Sequence, residues 1–199
     1  MPGRKVSIYN EGTLLALILD LKIRFHSGHQ RSLDDVMRLM WQRFGKNQAG
    51  YTYQDYQNVC EEVYGASLQD YFENYVSGTS PLENELKELF PQFGLIFNVK
   101  PSEKLEEKIY GLKLIEQEGR YFIDAIAVNS PAEKVLSLKD EVLNYSPDLF
   151  KSENDIGIEV NRFGRKLKAE LSPNGGEYFS IYQVKEIKGN SELTRWLGE

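Results

Sequence analysis

Between Ser32 and Asp70 the chain writes the same helix-opening device three times. Ser32 is followed by Asp35, Thr52 by Asp55 and Ser67 by Asp70, each hydroxyl three residues ahead of a carboxylate that reaches back to the free amide. Behind each pair runs an apolar stripe at helical spacing. The first is Leu33, Val36, Met37, Met40 and Phe44; the second is Tyr56, Val59, Cys60 and Val63; the third is Leu68, Tyr71, Phe72 and Tyr75. Gly45 and Gly65 stop the first two. Ahead of them, Glu11 to His26 forms another helix. Its apolar positions Leu14, Leu15, Leu17, Ile18, Leu19, Leu21, Ile23 and Phe25 go most of the way around the cylinder, so it is expected to be buried on several sides. A chain punctuated in this way folds there as an array of about four helices.

After Gly78 and Pro81 the texture changes to alternation and β-branched residues, which places a domain boundary near Pro91. Candidate strands are Leu95 to Val99, Tyr110 to Glu116, Tyr121 to Val128, Glu141 to Tyr145, Ile156 to Asn161 and Leu167 to Leu171, with turn chemistry at EGR, FGR and PNGG. One short helix interrupts them, Ser130 to Val135, with Ser130 as cap and Pro131 at the first helical position, where its missing amide costs nothing. The fold class is therefore multi-domain α + β. Residues 1–90 form the helical domain, and residues 91–199 form a small β-barrel or partly closed sandwich with a C-terminal extension.

The 199 residues carry a net charge of -6 from interspersed acids and bases, and this pattern argues against a general nucleic-acid surface. Arg162, Arg165, Lys166 and Lys168 gather at one hairpin end and read as a solvated turn. No segment has the unbroken apolar length that crosses a bilayer, so no membrane span is expected. Cys60 is the single cysteine; it lies on an apolar stripe and cannot form an internal disulfide. The first ten residues lack a signal-peptide core, which leaves the compartment open and allows that the native protein starts further upstream.

The second half carries a resemblance. YGLKL, then YFIDAIAVNSPAEKVLSLKDEVLNY, then DIGIEVNRFGRKLKAEL is similar to a PDZ domain of the bacterial type. In that family a glycine-led loop offers amides to a peptide carboxylate and the next strand adds the peptide to its edge. The resemblance implies that Gly111, Leu112, Lys113 and Leu114 are the peptide-binding loop and edge. Only SPDLFKSEND separates the strand ending at Tyr145 from that starting at Ile156, which leaves room for about two helical turns where the family has a groove-wall helix. A docking role for the module is the competing reading.

The first half carries another. SIYNEGTLLALILDLKIRFHSGHQRSLDDVMRLMWQRFG, followed by GYTYQDYQNVCEEVYGASLQDYFENYVSGTSPL, resembles the C-terminal part of the catalytic domain in the glycyl aminopeptidase family. These are zinc metallopeptidases of the HExxH type, related to aminopeptidase N, with a PDZ-like domain after the helices. The resemblance implies that Tyr9, in the Tyr-x-x-Gly motif, donates a hydrogen bond to the oxygen that turns negative as water attacks the scissile carbonyl, with Glu11 standing where relatives carry lysine. Packing at the mouth of the first helix is the alternative role for Tyr9.

Zinc chemistry of this kind needs two histidines one helical turn apart, a glutamate between them and a third ligand. The chain has two histidines, His26 and His29, in HSGH, which reads as a loop at a helix end; no metal ligand is assigned. Zinc is thus expected in a full-length parent and not on this chain. The expected partners are an upstream catalytic domain bearing the HExxH helix and a peptide substrate. This chain alone is expected to be inactive, with its first helix either exposing apolar surface or burying it by self-association with another copy. The competing reading is a free-standing helical and PDZ-like interaction scaffold that binds extended peptides.

Overall fold

A computed structural model describes residues 8–198. The fold is mixed α + β, with eight α-helices and two antiparallel sheets among the described residues. It divides into two compact units. Residues 8–98 and 183–198 make a helical unit, and residues 99–182 belong to a β module.

The helical unit starts with α1 (Ile8–His26). Its later turns bury Ile18, Leu19, Leu21 and Ile23 in the core, whereas its first two turns leave Ile8, Tyr9 and Leu14 exposed. The helix is therefore not covered on several sides along its whole length; its apolar N-terminal face lies open in the single chain. Asp20 fixes its exit, accepting from Arg24 Nε at 2.7 Å and from the Leu33 amide at 2.9 Å. That second bond satisfies one of the orphan donors at the start of α2 (Leu33–Met40).

Both expected capping boxes on α2 and α3 (Tyr53–Tyr64) form. The amide of Ser32 donates to Asp35 at 2.8 Å and that of Thr52 to Asp55 at 2.8 Å. Bonding to Thr52 holds the Asp55 carboxyl below its usual range. Gly65 ends α3 at φ +88°. The third device works differently: Glu61 accepts from the Leu68 amide at 2.9 Å and Ser67 Oγ from the Gln69 amide at 3.2 Å, ahead of the short α4 (Gln69–Tyr71). Two helices continue as single π turns, α2 through Trp41–Gly45 and α4 through Phe72–Val76. After α5 (Glu83–Leu89) a 3-10 turn at Phe90–Phe93 leads to Gly94.

The expected division at Pro91 grouped residues 91–199 as a β domain with a C-terminal extension. The C-terminal helix α8 (Ser191–Leu197) instead packs in the helical unit, its Trp196 ring edge-on to Phe93 at 5.7 Å and Arg195 donating to the Gly28 carbonyl at 2.7 Å. Aromatic burial decides the placement. The chain passes between units within β1 (Leu95–Pro101) and β7 (Ser180–Glu186), which pair as the two-stranded sheet.

In the β module α6 (Leu105–Lys108) precedes five strands, β2 (Leu112–Gln117), β3 (Arg120–Ile126), β4 (Glu141–Val142), β5 (Ile156–Arg162) and β6 (Arg165–Leu171), hydrogen-bonded in that order and all antiparallel. The hairpins turn on Glu118-Gly119 and Phe163-Gly164, all four at positive φ, the backbone that matches strand twist. Helix α7 (Pro131–Val135) follows β3, with the Ser130 hydroxyl accepting from the Glu133 amide at 3.2 Å. The module's core gathers Tyr110, Leu112, Ile123, Ile158, Val160 and Leu171.

Candidate functional site

Tyr9 sits on the first turn of α1 and is 81% exposed. Its carbonyl accepts from Thr13 Oγ1 at 2.7 Å, while its side chain stands away from the core. What holds this position is the rest of the helix. The Tyr71 hydroxyl donates to the Leu15 carbonyl at 2.8 Å, and Lys22 reaches Glu85 on α5 at 2.6 Å. Tyr9 thus projects from a clamped rod rather than filling the helix mouth.

The two histidines lie where α1 ends. The His26 ring lies 4.5 Å from Tyr64, and His29, at φ +66°, has Nε2 3.3 Å from Glu192. Among the described residues no three His, Cys, Asp or Glu side chains are grouped so as to hold a metal ion. No described helix is long and apolar enough to cross a membrane.

Tyr56, Tyr71 and Tyr75 pack on the helical core, while Tyr51 and Tyr53 are exposed. Met37, Met40, Trp41, Phe44, Tyr51 and Tyr56 border a cavity of about 240 Å³ that sequence reasoning did not find, because the π turn at Trp41–Gly45 has no sequence signature. Cys60 is fully buried, and burial pushes its thiol up to about 11. At the basic hairpin two of the four cations are paired, Arg162 with Asp140 and Lys168 with Glu159.

In the β module, Gly111 immediately precedes and Leu112, Lys113 and Leu114 begin β2, which among the described residues is an edge strand paired with β3. Gly111 has φ +71°, and a Cβ there would lie 2.3 Å from the Ser130 Cβ. Its carbonyl accepts from the Ala127 amide at 2.8 Å. Leu112 is fully buried, Leu114 packs partly on the core, and Lys113 Nζ lies 4.8 Å above the Phe179 ring. A register shift between Lys113 and Leu114 bends the strand at this point.

Tyr110, just before this glycine, was expected only as the first residue of a strand. It is fully buried, and its hydroxyl lies 2.7 Å from the Ser152 carbonyl and 2.6 Å from that of Asn154. Burial, with Asp155 and Glu153 nearby, raises the phenol's pKa above its ordinary value. A tyrosine heading a Gly-Leu pair gave no hint of this, since its partners lie more than forty residues away in an irregular turn. No protein-family model and no curated protein matches the chain.

Proposed function

We propose that this chain is the C-terminal part of a zinc-dependent aminopeptidase-like protease, to which it supplies a transition-state tyrosine, Tyr9, and a PDZ-like accessory module. The observation that carries the reading is the exposure of Tyr9 on a helix whose inner turns are buried and bonded. A phenol on a rigid support donates to developing negative charge without reorganising, and such donors lower a barrier by several kcal/mol. The open apolar face around Ile8 and Leu14 suits contact with the catalytic domain that bears the HExxH helix. Zinc, its ligands and the general base belong to that domain, and the substrate is a peptide.

The PDZ-like reading of residues 99–182 is supported by the strand order, by α7 between β3 and β4, and by a left-handed glycine ahead of an edge strand. A second reading, a free-standing scaffold that binds extended peptides, is favoured by that same unpaired edge. One experiment separates the two. The chain is expressed together with the coding sequence that precedes it and assayed on glycyl and alanyl reporter substrates with added zinc, as wild type and as Tyr9→Phe. The peptidase reading expects zinc-dependent hydrolysis that falls about 10²- to 10³-fold in kcat on loss of the hydroxyl, with KM little changed. Hydrolysis indifferent to Tyr9→Phe reduces Tyr9 to a surface residue, and absence of hydrolysis leaves the scaffold.

A further inference from the structure

The cavity of about 240 Å³ on the helical unit is walled by rings. Trp41, Phe44, Tyr51 and Tyr56 line it together with the thioether side chains of Met37 and Met40, and none of its lining residues is charged. The π turn builds one wall. The Lys46 amide donates to the Trp41 carbonyl at 2.8 Å, the i to i+5 bond that brings Gly45 nearly one turn above Trp41. A Cβ on Gly45 would lie 2.2 Å from Trp41 Cε3, so the indole rests where only a glycine leaves room for it. That contact seats a tryptophan that is otherwise 62% exposed. The Phe44 and Tyr51 rings stand 5.9 Å apart and tilted by 51°, so they are not stacked face to face on each other. A fixed negative charge stands close by. The Asp55 carboxylate accepts from the Thr52 amide at 2.8 Å, that amide is joined directly to Tyr51, and bonding to Thr52 keeps Asp55 ionised. Arg43 and Lys46, the cations next to this stretch in sequence, are not among the lining residues, and Arg43 is paired with Glu62 at 2.8 Å.

We infer that this cavity is a binding site for a small quaternary ammonium compound of the choline class, held against the rings of Trp41, Phe44, Tyr51 and Tyr56. An aromatic ring carries a negative face that attracts a cation, and the indole does so most strongly. The lining also selects among cations. A primary ammonium brings three N–H donors, and no lining side chain carries a carboxylate or an amide to accept them, so its desolvation goes uncompensated. A trimethylammonium group has no N–H to satisfy and presents methyl groups to the methionine and ring surfaces. Asp55 adds a favourable charge without occupying the cavity. Size limits the rest of the ligand: about 240 Å³ falls below the roughly 300 to 1,000 Å³ that drug-sized ligands fill, so the guest is a molecule of few atoms. The cavity belongs wholly to the helical unit, and the inference is independent of the peptidase reading.

The test titrates the full chain with choline, with its neutral isostere 3,3-dimethylbutan-1-ol and with ethanolamine, read by proton NMR of the ligand and of the Trp41 indole. Choline is expected to bind at least about tenfold tighter than either comparison compound, its methyl signal moving upfield over the ring faces. Trp41→Leu keeps an apolar side chain and removes one ring. The preference for choline over the isostere is expected to fall about fivefold in that variant. Gly45→Ala pushes the indole off its seat, and because Trp41 is exposed the core is left alone. Choline affinity is expected to drop while the urea-unfolding transition stays in place. Equal affinity for choline and its isostere makes the cavity an ordinary apolar recess and overturns the inference, as does choline binding that Trp41→Leu leaves untouched. A trimethyllysine peptide or phosphatidylcholine vesicles that bind where choline does not would move the cation onto a macromolecule and overturn the assignment to a free molecule.

Discussion

Replacing Gly111 with alanine asks for a side chain where the backbone and two neighbours forbid one. At φ +71° a non-glycine residue costs about 1 kcal/mol before any contact is made. The new Cβ would then lie 2.3 Å from the Ser130 Cβ, 2.8 Å from its Oγ and 3.2 Å from Tyr178 Cδ2. A Cβ cannot swing aside as a long side chain does, so Ser130 has to move with its backbone. Ser130 caps α7, and disturbing such a cap costs about 1 kcal/mol, with crowding adding about 1 to 3 more. The sum is roughly 3 to 5 kcal/mol.

Gly119 supplies the control. It has φ +75° with open space where its Cβ would go, so Gly119→Ala is expected to cost only the conformational part, about 1 kcal/mol. Both tryptophans, Trp41 and Trp196, belong to the helical unit, so tryptophan fluorescence during urea unfolding follows that unit. Hydrogen exchange of β2 to β6 follows the module. The expected result is a module weakened by about 2 to 4 kcal/mol more in Gly111→Ala than in Gly119→Ala, with the fluorescence transition in place. Equal effects of the two substitutions, within about 0.5 kcal/mol, would refute the argument from contact.

Two further outcomes follow from buried polar groups. Asp140 has a side chain only 1% exposed and accepts from Arg162 Nε at 2.8 Å, Arg162 Nη2 at 2.7 Å and the Ser137 amide at 2.8 Å. Arg162→Ala strands that carboxylate with one donor and is expected to cost about 2 to 4 kcal/mol in urea unfolding of the module, a loss that Arg162→Lys only partly restores. Cys60 gives a pH dependence. Its folded thiol is raised from 9.0 to about 11, so its contribution to stability is complete below pH 9 and is lost as pH rises through about 11. Unfolding midpoints followed by tryptophan fluorescence are expected to fall over that window, and less so in Cys60→Ala.

The helices were legible where local chemistry decides them. Ser32 with Asp35 and Thr52 with Asp55 bond only to their own turns, so the sequence contains the whole interaction. The third cap was misread because its real partner, Glu61, sits on the preceding helix and takes the Leu68 amide from there. Strands were legible where alternation meets a buried face, as at Ile156, Ile158 and Val160. Strand β7 escaped because its residues are almost all exposed, which leaves no apolar rhythm to read. The π turns escaped because one more residue per turn changes no residue type. Of the candidate site, Tyr9 and Gly111 could be pointed to by motif, whereas the bond from Tyr110 to the carbonyls of Ser152 and Asn154 depends on tertiary placement alone.

The discontinuity of the helical unit sets an order on biosynthesis. Residues 99–182 are contiguous and emerge as one stretch, so the β module can close as soon as β6 and the residues just after it have left the ribosome. The helical unit, although it is made first, has to wait for residues 183–198, since Trp196 completes the packing on Phe93 and Arg195 the bond to Gly28. Until that last helix arrives, the older part of the chain stands with an open aromatic seam, and a nascent chain stalled before Trp196 would be a substrate for chaperones while its younger module is already folded.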